Sequence, residues 1–234
     1  MKLLIFIPAR SGSKGIKNKN MADLNKRPLI YYTLNIAKKI RRNAYLFIST
    51  DSKKIIKYCK RFGFENRYLR PKSLSKDNSS MFPAVMHGVR WIKKNYGKTF
   101  DAILLLQPTT PIRQLKELKL AINLFRKEKL KSLISVTHMK EHPYECIRLS
   151  GNKWNYLACN PKKTNHRQNY KKNFYFIDGA FALAKIDFLK KNKSFINNKD
   201  TKIFVQKRER AVDIDTPEDL LIAKTLIKKI IYNE

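Results

Sequence analysis

The chain has 234 residues, of which 43% are hydrophobic, and a formal net charge of +33. Its length and apolar content suit one sizeable α/β domain with a real core and exclude a disordered chain. No apolar stretch approaches the ~18 residues that a membrane-crossing helix needs, so no membrane partner is expected.

The first apolar run, Leu3-Leu4-Ile5-Phe6-Ile7, is expected to be a core strand and not a leader, since a single lysine precedes it and no cleavage site follows. It breaks at Pro8 into the loop Ala9-Arg10-Ser11-Gly12-Ser13-Lys14-Gly15-Ile16-Lys17-Asn18-Lys19-Asn20. Small side chains let backbone N–H groups approach an anion, and arginine and lysine neutralise it, so this loop suits phosphate. The GxxxxGK[ST] spacing of the P-loop is absent, which removes the usual ATPase and GTPase reading.

Helical and strand-like runs then alternate. Helices are expected over 28–40, 53–62, 79–95 and 115–129, and strands over 45–49, 102–106 and 132–136. Pro28 fits the first turn of its helix, and Asp51 or Ser52 fits an N-cap before Lys53. The alternation predicts a Rossmann-like three-layer αβα fold with a mostly parallel sheet. Ligands of such sheets lie beyond the C-terminal ends of the strands. Arg10, the block Ser49-Thr50-Asp51 and the block Gln107-Pro108-Thr109-Thr110-Pro111 fall there. From about 138 to 180 the pattern turns polar and aromatic, which reads as a β-rich lobe inserted into a single domain spanning 1–234. Strands over 180–184 and 202–205 and a last helix over 217–231 complete the chain.

Lysines are spread over nearly every segment, mostly on expected helix faces, so the charge reads as a solvated face and not as a nucleic-acid footprint. A positive field still draws in polyanionic small substrates. Cys59, Cys146 and Cys159 are odd in number and lack CxxC spacing, which suits free thiols in a reducing cytoplasm better than a zinc site. His138, His142 and His166 also lack metal-ligand spacing.

Of only 18 carboxylates, four fall within residues 213–219: Asp213, Asp215, Glu218 and Asp219. On an extended segment Asp213 and Asp215 face the same side. Two hard oxygen ligands on one point suit Mg²⁺, which keeps its other positions for water and substrate phosphate. Glu218 and Asp219 fit the first turn of the last helix, where negative charge offsets the helix dipole, with Thr216 as N-cap and Pro217 at the first position.

The phosphate loop, Ser49-Thr50-Asp51, Arg70-Pro71, the run LLLQPTTPIR at 104–113 and DIDTPED at 213–219 occur in order. Together they resemble the acylneuraminate cytidylyltransferases, over nearly the full length of the chain. The resemblance implies a nucleotide-diphosphosugar-transferase fold with a mixed sheet and a small β-rich lobe that serves homodimerisation. It implies transfer of CMP from CTP to the anomeric hydroxyl of an acidic nine-carbon 2-keto sugar, sialic-acid-like or legionaminate-like, with release of pyrophosphate. By the same resemblance Arg10, Ser13, Lys14, Lys19 and Asn20 hold the triphosphate and nucleotide, and Arg70 with Ser79 or Ser80 lies near the cytidine. Gln107, Arg167 and Gln168 would face the sugar, and Asp213 and Asp215 would bind Mg²⁺, with Asp215 also accepting the proton of the attacking hydroxyl. The chain departs from the family pattern at Asp178-Gly179, where Asn-Gly is frequent, and at Glu145, where a cation often follows the His-Pro pair. Two other readings are an eight-carbon 3-deoxy-manno-octulosonate cytidylyltransferase and a non-catalytic basic RNA-binding protein, whose binding would depend steeply on salt.

Overall fold

The computed structural model describes residues 1–41, 44–65, 67–76, 80–158, 170, 174–207 and 211–232. A six-stranded sheet forms its centre. Strands β1 (Leu3–Pro8), β4 (Ala44–Ser49), β5 (Ala102–Leu105), β6 (Ser132–His138), β9 (Tyr175–Lys185) and β10 (Thr201–Val205) lie in the order β10-β6-β9-β5-β1-β4. β1 is parallel to β4 and β5, and β10 is parallel to β6, while β9 runs antiparallel between β5 and β6. The sheet is therefore mixed and mostly parallel, as expected.

Helices cover both faces. α1 (Ile30–Ile40), α2 (Lys53–Arg61) and α4 (Leu115–Lys127) pack on Ile5, Ile7, Leu104 and Leu183. α3 (Met81–Tyr96) and α5 (Ile186–Asn192) pack on Leu4, Phe6, Phe47 and Leu105. The full burial of every residue of β1 explains why it reads as a continuous apolar run without alternation. A third cluster joins α6 (Pro217–Tyr232) to Leu24, Leu29, Ile112 and Ile214, with Ala223 and Ile227 on the helix side.

Several element boundaries differ from expectation for physical reasons. Pro28 is not in the first turn of α1. It lies in a two-residue strand, β3 (Arg27–Pro28), paired with β2 (Asp23–Leu24) across Asn25 and Lys26, both with positive φ. That conformation is the one tight hairpins need, and a lysine does not announce it. α4 stops two residues early because Lys129 enters the left-handed region. α3 begins at Met81, two residues after the expected start, and ends on Gly97 at φ 63. Ser52, not Asp51, caps α2 by accepting from Ile55 N.

The expected strand at 180–184 is the second half of the eleven-residue β9, whose first residues Tyr175 to Asp178 fall inside the stretch read as the lobe. The same stretch also contributes an antiparallel hairpin, β7 (Ile147–Ser150) with β8 (Lys153–Tyr156). No helix among the described residues is long and apolar enough to cross a membrane.

Gly88 marks the closest approach of α3 to the sheet. A Cβ there would lie 2.8 Å from Phe47 Cε1 and 2.9 Å from Phe6 Cε2. Gly88→Ala is expected to cost about 1–3 kcal/mol through overpacking, lowering the melting temperature by several degrees. An unchanged thermal melt would show that the two rings yield freely.

Candidate active site

At the C-terminal ends of β1, β4 and β5 the loops enclose a cleft of about 280 Å³ lined by Pro8, Arg10, Ser13, Lys19, Asn20, Arg70, Met81, Gln107, Pro108, Thr109, Asp213 and Asp215. The phosphate loop and the paired aspartates, almost two hundred residues apart, thus share one cavity. Their link is direct. Lys19 Nζ donates to Asp215 Oδ1 at 2.6 Å and to Ile214 O at 2.8 Å. Lys19 is buried, whereas Asp215 is exposed.

The alternation expected for 213–215 is present. Ile214 is fully buried in the α6 cluster, and Asp213 and Asp215 on either side of it face the cleft. The strap is tied to the rest of the site by Ile214 N, which donates to Thr109 O at 2.8 Å. Its far end is fixed by a capping box. Thr216 Oγ1 accepts from Asp219 N at 3.2 Å, and Asp219 Oδ2 accepts from Thr216 N at 2.8 Å and from Asp215 N at 3.0 Å. These bonds hold the Asp219 carboxyl below its usual range against a burial effect that raises it.

On the loop side, Gly15 has no room for a side chain, because a Cβ would fall 2.0 Å from Asp215 O. Asn20 Nδ2 donates to Arg10 O at 2.8 Å and so closes the loop on itself. Asp51 pins the loop's start, accepting from Ser11 N at 2.7 Å and Ser11 Oγ at 2.6 Å. This role for Asp51 was not read from the sequence, which offered it as a cap and as part of the Ser49-Thr50-Asp51 block at a strand end. Lys14 is exposed and is not among the cleft-lining residues.

Arg70 is buried, and its guanidinium grips Ser49. Nε donates to Ser49 Oγ at 2.9 Å and Nη2 donates to Ser49 O. Burial lowers its pKa, opposed by the nearby Tyr68 and Asp51. Tyr68 OH in turn meets His87 Nδ1 of α3 at 2.9 Å. Ser80 is exposed immediately before α3 and makes no side-chain capping bond. Ser79, Arg167, Gln168, Cys159 and His166 lie outside the described residues.

At the opposite wall, Gln107 follows β5, and Gly179 at φ +68 stands beside it, its Cβ direction 3.6 Å from Gln107 Nε2 and 3.9 Å from Asp213 Oδ2. Asp178 is turned inward. Its carboxylate accepts from Ser135 Oγ at 2.5 Å, Ala180 N at 2.9 Å and Gln206 Nε2 at 2.7 Å. The acid at this departure from the family pattern is thus bonded within the fold. His138 packs on Tyr175, and His142 packs among Tyr144, Tyr170 and Phe174. Cys59 is buried, which pushes its thiol up to about 12.

Asp213 keeps solvent contact on the cleft side, yet the protein crowding its other sides raises its pKa, reinforced by Asp215 and opposed by Thr109, Lys19 and Arg113. Among the described residues no group of three His, Cys, Asp or Glu could hold a metal, and Asp213 and Asp215, which both line the cleft, are the candidate metal ligands. As a donor set they fit a hard divalent cation that draws its remaining ligands from water and phosphate.

A family model described as Cytidylyltransferase matches residues 4–226. The chain is 29% identical over 232 residues to CMP-N,N'-diacetyllegionaminic acid synthase of Legionella pneumophila, covering 97% of both proteins. It is 28% identical over 228 residues to pseudaminic acid cytidylyltransferase of Campylobacter jejuni, again covering 97% of both. The solved structure of CMP:2-keto-3-deoxy-manno-octonic acid synthetase complexed with CTP superposes with a TM-score of 0.70 at 15% identity, covering 98% of this chain and 100% of that one. That likeness carries the fold.

The raised pKa of Asp213 has a sign that can be checked. A carboxyl that binds its proton more tightly when folded destabilises the fold once pH exceeds its folded pKa, and the effect vanishes below the unfolded value. In metal-free buffer Asp213→Asn is therefore expected to melt at or above the wild-type temperature at pH 7, with any advantage shrinking on acidification. A large drop at pH 7 would mean that the ionised carboxylate stabilises the fold.

Proposed function

The chain belongs to the cytidylyltransferase family, and from that premise we propose that it transfers CMP from CTP to the anomeric hydroxyl of an acidic nine-carbon 2-keto sugar and releases pyrophosphate. The observation that carries this reading is the shared cleft, in which the cationic loop and the aspartate pair meet through Lys19 and Asp215. Relatives that span 97% of the chain are named for nine-carbon acids of the legionaminate and pseudaminate type, which supports that substrate class.

In the reaction the anomeric oxygen attacks the α-phosphorus, the bond to the pyrophosphate oxygen breaks, and the hydroxyl proton leaves. Little covalent work falls to the protein, so alignment and charge stabilisation dominate. Arg10, Ser13, Lys19 and Asn20 are assigned to the triphosphate and nucleotide, with Lys14 reaching in from the rim. Arg70 and Ser79 or Ser80 are assigned to the cytidine side. Gln107 is assigned to the sugar, where its amide both donates and accepts, together with Arg167 and Gln168.

Asp213 and Asp215 are assigned to Mg²⁺, which when bound neutralises phosphate charge and acidifies a coordinated hydroxyl. Asp215 lines the cleft with one oxygen on Lys19, and we assign it the hydroxyl proton. Free thiols at Cys59 and Cys146 fit a reducing cytoplasm. The exposed apolar side chains of the β7–β8 hairpin, with Leu149 at 71% and Trp154 at 54% exposure, support a homodimer formed through this lobe.

A pyrophosphate-release screen with CTP tests the activity. Legionaminate, pseudaminate or N-acetylneuraminate is expected to give turnover that EDTA abolishes. Turnover with 3-deoxy-manno-octulosonate alone would establish the eight-carbon reading. Salt-sensitive RNA binding without turnover on any sugar would establish the non-catalytic one. Asp213→Asn is expected to abolish turnover. Lys19→Ala is expected to lower kcat/KM by a factor equivalent to about 1.5–3 kcal/mol of lost transition-state stabilisation, the range for a charge-assisted contact, and by more than Lys14→Ala does. Equal losses at the two lysines would move the phosphate contacts outward to the rim. Light scattering is expected to give twice the 27.6 kDa chain mass, and Leu149→Asp with Trp154→Asp to give the monomer. A wild-type monomer would remove the lobe from any interface.

A further inference from the structure

We infer that Arg113 is a positioning residue for the sugar end of the cleft, clamping the turn that carries Gln107 against the irregular stretch of β9 at 179–180. Resting on the assignment of Gln107 above, the inference adds a residue that reaches the substrate only through its neighbours.

The geometry is a fork that spans three parts of the fold. Arg113 Nη2 donates to Gln107 O and to Thr110 Oγ1, both at 2.5 Å. Nε donates to Ala180 O at 2.5 Å, and Nη1 donates to Thr33 Oγ1 of α1 at 3.0 Å. Thr110 Oγ1 also lies 3.1 Å from Gly179 O and 3.2 Å from Gln107 O, so the Gln107 turn and β9 are joined twice. Part of Arg113 keeps solvent contact while the guanidinium is ringed by protein atoms, and that loss of water pulls its pKa down to about 9 against the nearby Asp178 and Asp213.

The acceptors point to a role beyond general stability. One is the carbonyl of Gln107 itself. Another, Ala180 O, follows Gly179, whose Cβ direction lies within 4 Å of both Gln107 Nε2 and Asp213 Oδ2. A planar guanidinium satisfies these diverging acceptors at fixed angles, and a lysine ammonium presents only a point charge. Arg113→Lys therefore keeps the cation and loses the fork.

The test uses the full chain, with KM for the sugar and for CTP measured separately. Arg113→Lys is expected to raise the sugar KM about tenfold or more and leave the CTP KM within twofold, with Arg113→Met worse. Thr110→Val, which removes one acceptor of the fork and the hydroxyl donor to Gly179 O and Gln107 O with little change of shape, is expected to move the sugar KM the same way by less. In a Gln107→Ala background the further change on Arg113→Lys is expected to fall below twofold, as two residues acting as one unit require. Equal rises in both KM values, full additivity with Gln107→Ala, or a lower melting temperature with neither KM changed would overturn the inference.

A Gln107→Ala variant with wild-type sugar KM would instead overturn the assignment of Gln107, and the inference with it. If no sugar is accepted, the side-chain amide NMR signals of Gln107, identified by their loss in Gln107→Ala, decide the clamp alone. A shift in Arg113→Lys supports it, and unmoved signals overturn it.

Discussion

The site depends on how closely the N-terminal loop packs against the C-terminal strap. Gly15 lies where any Cβ would collide with the carbonyl of Asp215, and a few residues on, the buried Lys19 donates to that aspartate and to Ile214 O. Backbone cannot yield as a side chain can, so the glycine sets the width of the cleft and the lysine sets its register. A buried ammonium is tolerable only with hydrogen-bond partners at hand. Lys19 therefore ties the loop to the strap and also places positive charge at the cleft wall.

The strap owes its position to apolar packing on α6 as well as to its own bonds. Ile214 is buried against Leu24, Leu29, Ile112, Ala223 and Ile227, and this apolar anchor turns the two flanking aspartates outward. The cluster reaches across the chain, from the β2–β3 hairpin through the turn at 112 to the last helix. Capping by Thr216 and Asp219 fixes where α6 begins, and Asp219 also holds the backbone of Asp215. One carboxylate serves helix stability and site geometry together. The opposite wall follows the same logic, with Arg113 and Asp178 both bonding the backbone of Ala180, next to Gly179 in β9, from inside the protein.

Much of this was legible in the sequence because it rests on short-range pattern. Fully buried β1 reads as an unbroken apolar run, and the loop after it announces its chemistry through glycine, serine and cations. The period-two spacing of Asp213 and Asp215 carries over directly to their shared face. What was not legible depends on partners distant in sequence. Asp51 looks like a helix cap until Ser11, forty residues earlier, takes both its oxygens. Arg113 looks like the end of a motif until Thr33 and Ala180 arrive beside it. The long antiparallel β9 was only half visible, because Asp178 and Gly179 interrupt its apolar pattern and separate the exposed Tyr175-Phe176-Ile177 from the buried second half.

The charge balance narrows what such a cleft can select. With 51 cations against 18 carboxylates the chain attracts polyanions of every kind. A field of one sign accelerates encounter with triphosphate, pyrophosphate and nucleic acid alike, so discrimination falls to geometry and to the few acids. A cleft of about 280 Å³ admits small molecules and not a duplex. Asp213 and Asp215 on its wall repel bare phosphate and favour phosphate that arrives with a divalent cation. Positive charge over the whole surface with paired acids at one point therefore fits a metal-nucleotide substrate better than a nucleic-acid backbone.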